Sequence, residues 1–180
     1  MCNMSVDMKR KPWSNQVGKI RQDYYAGAMN RIKAAKENGL YIEQIALYES
    51  LLCDRLEARL QFLLSDNSGT LNFKTIASAI KNLKVHEKKQ YQKLFVIYDE
   101  ILTWNKSRHK PIHEAVKIST EENFEPFRER YAKFEIIANK AGEIYKNLTA
   151  EYNRIKRLNL SELKEKDKKQ LLKAQRKGHE

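Results

Sequence analysis

The run from Phe124 to Ile155 constrains the fold of this chain more than any other segment. Phe124, Phe127, Tyr131, Phe134, Ala138, Ala141, Tyr145, Leu148, Tyr152 and Ile155 follow one another in alternating steps of three and four residues without a slip. That period keeps a single apolar seam along one side of an α-helix. At 1.5 Å per residue, roughly 32 residues reach about 48 Å. A seam so long needs cover, either from antiparallel neighbours in the same chain or from a second copy. Bundle packing within the chain is the commoner arrangement, and the aromatic and alanine content departs from a simple leucine zipper.

Helical periodicity extends to most of the remaining sequence. Ile20, Tyr24, Ala28, Ile32 and Ala35 form one stripe, stopped by "ENG" at Glu37 to Gly39. A second runs through Ile45, Tyr48, Leu52, Leu56, Leu60 and Leu63 and gives way to the loop-like "SDNSGT", Ser65 to Thr70. A third follows Asn72 with Phe73, Ile76, Ile80 and Leu83, and a fourth carries Tyr91, Leu94, Tyr98 and Ile101. A short helical pattern through Ile112 and Val116 ends at "STEEN", Ser119 to Asn123. Ser119 and Glu122 have capping-box spacing, but a start there would bury Pro126 inside a helix, so a start near Asn123 is expected. No segment alternates apolar and polar residues as a strand does. Glycine (6) and proline (3) are scarce, which argues against a turn-rich β fold.

The expected fold is therefore all-α: a bundle of about five or six helices, with one long heptad-patterned helix over 124–158. Residues 1–15 read as an N-terminal arm, 16–158 as the bundle, and 159–180 as a basic C-terminal helix or tail. Hydrophobic residues make up 41% of the chain, enough for a core.

The formal net charge is +12, which attracts polyanions such as RNA, DNA, acidic membranes or an acidic partner. The excess is local. Arg154 to Lys177 holds ten Lys/Arg against three Asp/Glu, a net +7, leaving the remainder of the chain only mildly basic. Cys2 and Cys53 give no disulfide framework and no zinc spacing. The start lacks an apolar core of signal-peptide length, and no run of about 18 apolar residues could span a membrane. A soluble cytoplasmic protein without membrane partners is expected.

The chemistry concentrates in "WNKSRHKPIHEAVK", Trp104 to Lys117. Arg108, His109 and His113 lie here with Pro111 between them. On a straight helix, a five-residue step turns by about 500° and leaves about 140° between the two positions. Pro111 is expected to break the helix, so that Arg108 and His113 converge; alternatively, two chains bring their copies of the joint together. Arg supplies a permanent charge and a planar donor fork for phosphate oxygens. His titrates near neutrality and can pass a proton. RNA brings its own nucleophile, the 2′-OH, so this chemistry requires no metal. A helix N-terminus near Pro111 would add a favourable field for phosphate.

An Arg followed by a polar residue, three more residues and a His, placed between long helices, resembles HEPN domains. Here the string is Arg108-His109-Lys110-Pro111-Ile112-His113, with Trp104 and "IHEAVK" also similar. The likeness covers the helix pattern from about Gln16 to Leu148, its specific part being Trp104 to Lys117. It implies a homodimer whose two motifs share a cleft, and metal-independent endoribonuclease activity in a toxin or phage-defence role. An antitoxin or other regulatory protein would then be a partner. Arg108 and His113 map onto the catalytic pair and His109 onto the polar position after Arg. Lys106, Lys110 and Lys117 are the candidate RNA contacts. Products would carry a 2′,3′-cyclic phosphate and a 5′-hydroxyl. Pro111 within the motif departs from the pattern.

Other readings of these residues stand beside that one. The chain could be a non-catalytic helical module that binds RNA or a partner protein through its basic tail. Trp104 is more often core than a stacking platform, and His109 could simply be exposed. His109 and His113 are spaced as a metal pair, but no third ligand is apparent and Glu114 does not complete HExxH, so no metal is expected. No glycine-rich nucleotide loop suggests ATP or GTP control, and no cofactor is expected. Asp99 and Glu100 are candidates to orient Arg108.

Overall fold

A computed structural model describes the backbone of residues 15–64, 75–114 and 127–177, with side chains except at 15–19, 21, 110–114, 127–128, 130, 160 and 162–177. Five helices and no strand occur among the described residues: α1 (Asn15–Glu37), α2 (Tyr41–Leu64), α3 (Ile76–His86), α4 (Gln92–Glu114) and α5 (Phe127–Lys177). The all-α expectation holds. "SDNSGT", Phe73, "STEEN" and the capping box at Ser119 lie outside the described residues.

The predicted stop at "ENG" is a Schellman end. Gly39 takes φ 67°, its N–H donates to Lys36, and the Leu40 N–H reaches back to Ala35 at 2.7 Å. This compact turn folds α2 back along α1. Helix α3 opens on a capping box in which Thr75 accepts from the Ser78 N–H and Ser78 accepts from the Thr75 N–H. Its C-cap is Glu87, whose N–H donates to the Leu83 carbonyl.

Residue pairs fix the directions. Tyr25–Asp54 and Arg31–Glu43 set α1 antiparallel to α2. Trp104–Ile137, Tyr98–Tyr152 and Tyr91–Asn159 set α4 antiparallel to α5. Tyr41–Tyr131 and Tyr48–Tyr145 make α2 and α5 parallel. Helix α5 is thus the spine, packed on α2 and α4, with α1 on the outside of α2 and α3 against α2 and α4.

The seam is consumed by this packing. Phe134, Ala138, Ala141, Tyr145, Leu148 and Ile155 are buried, together with Ile144, against Leu52, Leu56 and Leu60 of α2 and Leu94, Tyr98 and Ile101 of α4. Among the described residues, from Tyr131 to Ile155, α2 and α4 of the same chain cover the seam. The stripe on α1 is only half used: Ile32 and Ala35 are buried, whereas Ile20 and Tyr24 are exposed.

Two expectations need correction. Pro111 does not break the chain, since α4 runs through it to Glu114. Nor does the long helix stop at Leu158; α5 has 51 residues and continues through the basic segment to Lys177. At 1.5 Å per residue it spans about 76 Å, roughly twice the length of α2 or α4.

Candidate functional site

Trp104 stands one turn before Arg108 on the inner face of α4. It is buried, and its indole Nε1 donates to the Ile137 carbonyl of α5 at 3.0 Å. Such a bond satisfies the one polar atom of the ring and makes Trp104 a strut between two helices, not a stacking platform.

Arg108 lies over that indole, its Cζ 5.5 Å from the ring centroid. Its Nε donates to Asn105 Oδ1 at 3.1 Å, and its Nη2 donates to Glu49 Oε1 of α2. The side chain of Arg108 is 11% exposed and that of Glu49 32%. Three neighbours therefore hold the guanidinium in one orientation. Asp99 and Glu100 do not take part: Asp99 pairs with Lys84 at 2.5 Å, and Glu100 lies 4.0 Å from Lys140.

Sequence reasoning missed Glu49. The signal was present, because Glu49 sits four residues after Ile45 and three before Leu52, beside the buried stripe of α2. A carboxylate in such a position needs a positive partner. Cys53, one turn further along α2, is half-buried; burial first, then the Glu49 charge, pushes its thiol above the usual range while Arg108 acts in the opposite sense. It is not set up as a thiolate nucleophile.

Lys106 and His109 are exposed on the same stretch of α4. The continuous helix places positions 108 and 113 about 140° apart around its axis, so one chain does not turn both toward one point. His113 and Lys110 belong to α4, but their side chains are outside the described set, and Lys117 lies beyond it altogether. The favourable helix N-terminus expected at Pro111 is absent, because α4 has its C-terminal turns there. Among the described residues no three His, Cys, Asp or Glu gather as metal ligands, and no helix is long and apolar enough to cross a membrane.

A second polar cluster sits further along α2. Arg59 donates to both oxygens of Glu87 at 2.6 and 2.7 Å, with side chains 9% and 0% exposed. The Tyr98 hydroxyl donates to Glu87 Oε1 and lies 3.0 Å from that of Tyr152. Burial raises the pKa of both tyrosines, so they remain neutral donors. Burial also works against the Arg59 charge, but the Glu87 hydrogen bonds and field more than offset it. Four elements of the fold meet at this cluster, which has the character of a clamp.

No family model, curated protein or solved structure matches this chain.

Proposed function

We propose that the chain is an HEPN-like, metal-independent endoribonuclease whose active site is shared between two copies. One observation carries this reading: within the string Arg108 to His113, the guanidinium is held by Glu49, Asn105 and Trp104 in a single orientation near the end of α4. Those two hydrogen bonds use two of the five N–H donors of an arginine. The +12 charge favours RNA as substrate.

In the proposed reaction the 2′-oxygen attacks the adjacent phosphorus and the bond to the 5′-oxygen breaks. His113 takes the proton from the 2′-OH and a proton is delivered to the leaving 5′-oxygen, giving a 2′,3′-cyclic phosphate and a 5′-hydroxyl. Arg108 bears on the charge that grows on the phosphate oxygens. Since positions 108 and 113 diverge on one helix, Arg108 of one copy works with His113 of the other. His109 occupies the polar position beside Arg108, and Lys106, Lys110 and Lys117 hold the strand. A cytoplasmic toxin or phage-defence role, restrained by an antitoxin or similar regulator, belongs to this reading through the resemblance alone.

The test is cleavage of a structured RNA in excess EDTA, with product ends identified. Cyclic phosphate ends, lost on His113→Ala, are expected. Cleavage only with added metal, or an unaffected His113→Ala variant, refutes the reading. The Glu49 ion pair favours a second reading, in which Arg108 is purely structural and the protein binds RNA or a partner protein without cutting. RNA binding without cleavage would select it.

A further inference from the structure

A cavity of about 350 Å³ opens between α1, α2 and α5. Arg108 and Glu49 are not among its walls, so it is separate from the candidate active site. Ile32 and Ala138 give it an apolar floor, and Lys33 and Lys36, one turn apart on α1, stand at its edge. Gln44 lines it from α2, only 2% exposed, and its Oε1 has no hydrogen-bond partner among the described residues. A buried amide oxygen without a partner is rare and calls for an explanation.

Tyr48 of α2 and Gly142 of α5 pack closely on its wall. A Cβ at Gly142 would come within 2.8 Å of the Tyr48 hydroxyl, so only glycine leaves that ring its place on the wall.

We propose that the cavity binds a nucleoside monophosphate with an adenine-type amino edge, Gln44 meeting the base and Lys33 and Lys36 the phosphate. A carboxamide offers one acceptor and one donor side by side, which matches the N6 amine and N7 of adenine. Turning the amide about its last bond exchanges the end that faces the ligand. Two ammonium groups supply charge for a phosphate. Lys33 also lies 3.9 Å from Glu37, an exposed pair too weak to hold it away. The volume falls within the range of small-ligand sites. Guanine presents two acceptors, O6 and N7, on that edge, so either orientation of the amide sets its oxygen against one of them. The site does not depend on whether the protein cuts RNA.

The experiment is calorimetric titration of the full chain with AMP, GMP and inorganic phosphate at about 150 mM salt. AMP is expected to bind with Kd below about 1 mM, and GMP and phosphate at least about tenfold more weakly. The double variant Lys33→Ala/Lys36→Ala, whose side chains are exposed, should weaken AMP about tenfold or more. Gln44→Leu should abolish the preference for AMP over GMP while keeping or raising Tm, because it removes a buried amide oxygen that lacks a partner. Absence of AMP binding overturns the proposal, leaving Gln44 satisfied by water alone. Equal affinity for AMP and GMP, or binding indifferent to both variants, also overturns it, since a +12 chain attracts anions diffusely.

Discussion

Arg108 of α4 and Glu49 of α2, 59 positions apart in sequence, form an ion pair at the rim of the core. The pair ties the candidate catalytic arginine to the scaffold, so its effects on stability and on activity can be separated.

Glu49→Ala should cost about 1–2 kcal/mol, between the value of an exposed pair and that of a fully buried one. The expected fall in Tm is about 2–8 °C for a chain of this size. Arg108→Met on the Glu49→Ala background should recover part of the loss, because no unpaired charge then remains near the core. Urea melts of the single and double variants check both values. Additive losses would show that the two side chains do not interact.

If the active site is shared, neither Arg108→Ala nor His113→Ala should cut RNA alone. Mixing the two after a brief unfold–refold cycle should restore about a quarter of wild-type activity, because half the dimers are mixed and each mixed dimer has one intact site of two. A site formed within one chain predicts no recovery. Arg108→Lys keeps the charge but loses the planar fork and should fail, while His109→Asn should be tolerated better.

The basic end of α5 should raise RNA affinity without setting the chemistry. Ile155 is buried and Asn159 accepts from the Tyr91 hydroxyl at 3.1 Å, so a truncation that spares the fold has to lie beyond them, after Ser161. That truncation should leave Tm unchanged, weaken RNA binding, and flatten the slope of log affinity against log salt by about 0.7–0.9 per lost phosphate contact. An unchanged slope would assign this segment another purpose.

The clamp predicts an alkaline limit to stability. Tyr98 and Tyr152 titrate above the ordinary tyrosine value of 10.0 in the fold. Groups raised in this way contribute stability that is complete below about pH 10 and lost as pH rises beyond it, since the unfolded chain then releases protons that the fold retains. Tyr98→Phe/Tyr152→Phe should flatten that decline. Glu87→Ala, which strands Arg59 in the core, should cost about 3–5 kcal/mol at neutral pH. Chemical denaturation from pH 7 to 11 checks both.

Much of the fold was legible in order and pattern. The stripes through Ile45–Leu60 and Phe134–Ile155 marked helices and the faces they bury, because a 3.6-residue turn converts sequence spacing into position on a surface. "ENG" marked a helix end, because glycine adopts positive φ without strain. Composition and charge located the basic segment and the string from Arg108 to His113.

Tertiary structure decided what spacing cannot encode. Whether the α5 seam would meet its own chain or another depended on α2 and α4 both arriving to cover it. Whether Pro111 would break α4 depended on context, since packing by Trp104 and its neighbours can sustain a helix through a local penalty. The same holds for the partner of Arg108, Glu49, and for the partner of Arg59, Glu87. An ion pair between distant positions leaves no periodic trace in sequence and exists only once the helices carrying it have packed.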